Sequence, residues 1–119
     1  MPAGKSRVVT RRFWKVWTFG RALLQGQVDA SEASIRLSVL LDCLPPDIQP
    51  KADLAAIHRL AHDCVEFARG DARRALGPAE RHHQDRRRLR LEDEQGEAVA
   101  AAARRLARVL GEWRRRLDA

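Results

Sequence analysis

The chain has no tyrosine, one methionine, two cysteines and seven scattered glycines in 119 residues, and each shortage removes a class of protein. Two cysteines, Cys43 and Cys64, are too few for the disulfide framework of a small secreted domain, and their separation fits no zinc-site spacing. The glycines stand apart from one another, so they form no loop of the kind that cradles nucleotide phosphates. Nowhere do β-branched and aromatic residues alternate with polar ones over the length of a strand, which argues against a sheet. No apolar run approaches the ~20 residues needed to cross a bilayer. Acidic side chains are missing altogether from the first 28 residues, which carry six basic ones.

What is abundant is helix-forming. Apolar residues make up 45% of the chain and are mostly Ala and Leu. A chain of this size buries about two-thirds of its unfolded surface without help from metal or disulfide. The expected fold is all-α, a bundle of four to five helices that leaves room for an extended C-terminal helix. Residues 1–9 read as a basic lead-in and residues 10–119 as one domain.

Four helical stretches follow from spacing. From Thr10, a suitable N-cap, Phe13, Val16, Trp17, Gly20 and Leu24 share one stripe at 100° per residue, and Gly26 ends the helix. Phe13 and Trp17, four residues apart, are the expected core anchors. Asp29 and Glu32 have capping-box spacing at the start of a second helix, which Pro45 and Pro46 stop. A third helix is expected from about Lys51 to about Arg69, with Leu54, Ile57, Ala61, Cys64, Val65 and Ala68 inward, and a further turn or two follows Asp71. Residues 79–97 are polar nearly all round, and residues 98–119 return to an apolar stripe. A break near residues 92–97, at Gly96, is the expected way to divide so long a segment.

Few residues suggest chemistry. His58, His62 and Glu66 fall at i, i+4 and i+8, a spacing that can line up metal ligands. Arg59 stands where a metalloprotease needs glutamate, so boundary histidines are the simpler reading, and neither a cofactor nor an enzyme activity is implied. Ala22, Gly26 and the Asp29-capped helix resemble part of a helix-turn-helix, but Glu32 fills an apolar position and Arg36 is the second helix's one basic residue. Thr10, Arg11, Arg12 and Phe13 resemble a twin-arginine export signal, but Arg21 interrupts the apolar run that should follow. A reducing cytoplasm is the expected compartment.

Binding is therefore the expected mode of action. Trp14 and Phe19 fall off the core stripe on opposite flanks, and Trp113 belongs to a near-heptad run with Leu106, Leu110 and Leu117. These three mark a surface for a protein partner or for a second copy of the chain in a homo-oligomer. The alternative is nucleic-acid binding through Arg11, Arg12, Lys15 and Arg21, with Trp14 available to stack on a base. An interfacial membrane helix would use the same residues and would deprive the domain of its core stripe.

Overall fold

The stripes become five helices in a computed structural model that describes residues 7–46 and 49–118, the side chains of residues 7–10, 113 and 116–118 excepted. They are α1 (Arg7–Leu24), α2 (Ala30–Asp42), α3 (Ala55–Cys64), the single turn α4 (Asp71–Arg74) and α5 (Pro78–Asp118). The fold is all-α, and no strand occurs among the described residues. None of these helices is long and apolar enough to cross a membrane.

Helix α1 starts at Arg7, upstream of Thr10. It ends in a Schellman turn, where Gly26 takes φ +68°. The Gln27 amide reaches back to the Ala22 carbonyl at 2.9 Å and the Gly26 amide to Leu23 at 3.2 Å. Glycine suits that position because a Cβ is strained at positive φ.

Asp29 is the N-cap residue of α2 through its backbone, but its carboxylate makes no capping bond, contrary to the expected capping box. Charge explains the difference. The Asp29 carboxylate lies 3.6 Å from the Arg88 guanidinium of α5, and Glu32 turns to Arg36 at 3.1 Å. At its other end α2 is closed from outside, because Arg12 donates to the Cys43 carbonyl at 2.9 Å and Gln49 donates to those of Leu41 and Leu44.

Helix α3 is shorter than its spacing predicts. Asp53 takes the Ala55 amide at 3.1 Å and holds the segment after Pro50 out of the helix until Leu54. Beyond Cys64 the chain leaves the helix and buries Phe67, while Val65, expected inward, is exposed. Leu60 joins the core from a position outside the expected stripe.

Contacts along the helices show successive antiparallel neighbours. Arg12 meets Cys43 across α1 and α2, Ser38 meets His58 across α2 and α3, and Asp63 and Asp53 meet Gln95 and Arg105 across α3 and α5. The C-terminal half of α5 fills the remaining side of this bundle. There Val99, Ala102, Leu106 and Leu110 are buried with Phe13, Val16, Leu37, Leu41, Ile57 and Leu60 in one cluster. Gly20 faces α5 here, and a Cβ there would sit in ordinary contact, 3.4 Å from Leu106 Cδ2 and 3.8 Å from Leu110 Cδ1.

The expected break in the last segment does not occur, and α5 is one helix of 41 residues. Gly96 is spanned because both sides of it are tied down. Gln95 donates to the Asp63 carboxylate at 2.7 Å, and Val99 is buried in the core. A Cβ at Gly96 would meet nothing within 4 Å. Gly96→Ala should therefore add helix propensity at no steric cost, about 0.5–1 kcal/mol. Thermal melts followed by circular dichroism should show a midpoint raised by roughly 2–5 °C. An unchanged or lowered midpoint would mean that the helix does not run through this position.

Candidate functional site

Residues Phe13, Val16 and Gly20 turn inward from α1, which leaves two flanks of that helix facing outward. On the flank toward α5, Trp14 keeps 38% of its surface exposed. Its ring is edge-on to buried Phe13 at 5.3 Å and to Trp17 at 6.3 Å, geometry that suits the aromatic quadrupoles and fixes the indole in place. Trp17 lies half-buried at the seam between α1 and α5, rather than fully in the core as its stripe position suggests. The guanidiniums of Arg21 and Arg114 lie 5.7 and 5.3 Å from its ring centre. This arrangement favours a half-exposed indole, because a cation gains from the negative ring face while keeping its own water.

The opposite flank faces α2. Phe19 is half-buried there, with the Arg36 guanidinium 5.4 Å from its ring centre. Beside it opens a groove of about 770 Å³, floored by Phe19, Ile35, Val39 and Leu40. Lys15 and Arg69 stand at its rim. Trp14 and Phe19 thus belong to separate surfaces, and the side chain of Trp113 lies outside the described residues.

The four basic residues of the first helix have different surroundings. Arg12 is half-buried and spent on the end of α2, and Arg21 stacks on Trp17. Arg11 and Lys15 remain exposed. Packing adds what local spacing does not, because it brings the far end of the chain to the same place. Residues 99–119 contain six arginines against two carboxylates, and their helix lies along α1, where the first 28 residues have no carboxylate.

The histidine series does not form a metal site. Helix α3 ends at Cys64, short of Glu66, so the i, i+8 register is lost. Glu66 pairs with Arg87 at 3.0 Å, the His58 Nδ1 shares a hydrogen bond of 2.7 Å with Ser38, and His62 is exposed. Among the described residues no group of three His, Cys, Asp or Glu side chains is placed to hold a metal ion.

A second polar assembly was not legible from spacing alone. Arg88 lies 2.6 Å from Glu92, 3.6 Å from Asp29 and 3.9 Å from Asp85, and Arg73 meets Asp85 at 2.6 Å. The hydrogen bond from Arg73 holds the Asp85 carboxyl below its usual value. A carboxyl lowered in this way stabilises the fold above its unfolded pKa, and that contribution is lost as pH falls through the lowered value. Asp29, Asp85, Arg73 and Arg88 line, with Glu32 and Arg69, a small cavity of about 150 Å³ that also touches Cys64, so that three carboxylates meet three guanidiniums around it.

With this geometry in view, the comparison with known proteins is decisive on one point. Residues 6–106 match the family described as "Protein of unknown function (DUF2489)". The chain belongs to the DUF2489 family. No curated protein and no solved structure matches it. The DUF2489 match takes in Trp14, Phe19, the groove and the Arg88 assembly, and it stops short of Trp113 and Arg114.

Both thiols of this DUF2489 chain are free, but their settings differ. Cys64 is 1% exposed, and burial pushes its thiol up to about 11, whereas Cys43 is exposed at the end of α2. Because the thiolate is the reactive form, a thiol reagent at about pH 8 should modify one cysteine quickly and the second only after denaturation. Cys43→Ser should abolish the fast phase. Two fast thiols in the native protein would contradict the buried placement of Cys64.

Proposed function

We propose that this member of DUF2489 works by binding, and that the outward side of α1 centred on Trp14 receives a protein partner, a second copy of the chain included. The observation that carries this reading is the 38% exposed indole of Trp14, fixed edge-on against buried Phe13 and against Trp17, whose own ring carries the guanidiniums of Arg21 and Arg114. Tryptophan and arginine on a rigid base make up the usual hot spot of a protein interface. Covering the rest of the Trp14 ring would add roughly 2 kcal/mol of apolar burial.

A second reading draws on the charge gathered by the contact between α1 and α5. The exposed Arg11, Lys15 and Arg21 of α1, a helix without a carboxylate, and the arginines of the α5 end that lies along it, Arg114 among them, make a surface suited to phosphates, with Trp14 as a stacking platform. This reading concerns single-stranded nucleic acid, since α2 offers one basic side chain and would read a major groove poorly.

Sedimentation across a concentration series, with and without labelled single-stranded DNA and RNA, separates the two readings. The first expects assembly above the monomer mass that Trp14→Ala abolishes, while the helical signal is kept. The second expects nucleic-acid binding that weakens steeply with salt and has a shallower salt slope in Arg11→Ala/Lys15→Ala. A monomer at every concentration with no nucleic-acid complex at low salt would contradict self-assembly and the second reading together.

A further inference from the structure

The groove between α1 and α2 has a chemistry of its own. Its floor is apolar, with Val39 59% exposed beside Phe19, Ile35 and Leu40. Three cations stand around it, Lys15 from α1, Arg36 from α2 and Arg69 from the segment after α3, against the single carboxylate of Glu32. We propose that this groove docks an acidic amphipathic helix of a partner protein. The inference rests on the reading that the protein binds protein partners, but it concerns the flank of α1 opposite Trp14.

Shape, charge and cost each point to that occupant. A channel between two antiparallel helices accepts a third helix laid along it. Along α2 the lining runs from Glu32 to Leu40, about 12 Å or two helical turns, which suits apolar anchors at i, i+4 and i+7. Carboxylates flanking those anchors would meet Lys15 and Arg69 at the rim. They would also compete with Glu32 for Arg36, whose present pair is 3.1 Å long and about half exposed on both sides. Such an exposed pair holds weakly, so exchanging one carboxylate for another is cheap. A basic peptide would be repelled.

Fluorescence anisotropy with three labelled synthetic peptides tests the proposal. One carries Leu and Glu in a helical heptad pattern, the second has Lys for Glu, and the third has Ser for Leu. The proposal expects the Leu/Glu peptide to bind at least about tenfold more tightly than the other two, and to weaken as salt rises. Val39→Glu and Lys15→Glu/Arg69→Glu should each reduce its affinity by about tenfold or more, while Trp14→Ala leaves it unchanged. Each variant is exposed at the changed positions, and circular dichroism verifies its helical content. Should either lose its helices, Val39→Ser and Lys15→Ser serve in its place. Equal binding of all three peptides, no binding by any, or indifference to the Val39 substitution would overturn the proposal. So would binding to phosphatidylglycerol vesicles with none to the acidic peptide.

Discussion

The packing of α1 and α3 onto the C-terminal half of α5 is the contact on which the arrangement depends. A helix whose Val99, Ala102, Leu106 and Leu110 are all buried must find cover on more than one side. Helix α3 supplies one side and α1 the other, with Phe13 and Val16 in the shared core and Gly20 facing Leu106 and Leu110. That packing fixes the rotation of α1. With Phe13 and Val16 turned inward by the same rotation, Trp17 is left at the seam, Trp14 at the edge and Phe19 over α2. The outward aromatics are thus a consequence of how the core is filled.

The other half of α5 is held by a different force. Apolar side chains are scarce there, and Leu89 is 57% exposed. Its anchors are polar: Gln84 accepts the Ala68 amide at 2.9 Å, Arg87 pairs with Glu66, and Arg88 gathers Asp29, Asp85 and Glu92. Exposed pairs of this kind contribute about 0.2–1 kcal/mol each. Arg88 and Glu92 are the more sheltered members, at 25% and 15% side-chain exposure, and Arg88 joins α5 to Asp29 at the start of α2 across 59 residues of sequence.

Local chemistry made most of the helices legible before any coordinates. Gly26 and the Pro45-Pro46 pair act through their own backbone and did what their positions imply, while of the Phe13 stripe Phe13, Val16 and Gly20 are buried, Trp17 is half-buried and Leu24 is 43% exposed. Where the structure departs, the deciding partner is distant in sequence. Asp29 gives up its cap for Arg88, Asp53 shortens α3, and Gln95 with Val99 carries α5 past Gly96. The candidate surface divides along the same line. That Trp14 and Phe19 fall outside the core stripe could be read from a helical wheel. The second guanidinium on Trp17, the groove beside Phe19 and the meeting of two arginine-rich segments needed the tertiary contact.

The proposed reading assigns binding to α1, a helix that both fills the core and offers its two flanks outward. The measurement that tests this most directly places a photoreactive phenylalanine analogue at position 14 and, separately, at position 89, an exposed apolar site on α5. Irradiation in living cells should give a discrete cross-linked species from position 14 and none from position 89. No adduct at position 14, or the same species from both positions, would contradict the assignment of binding to α1.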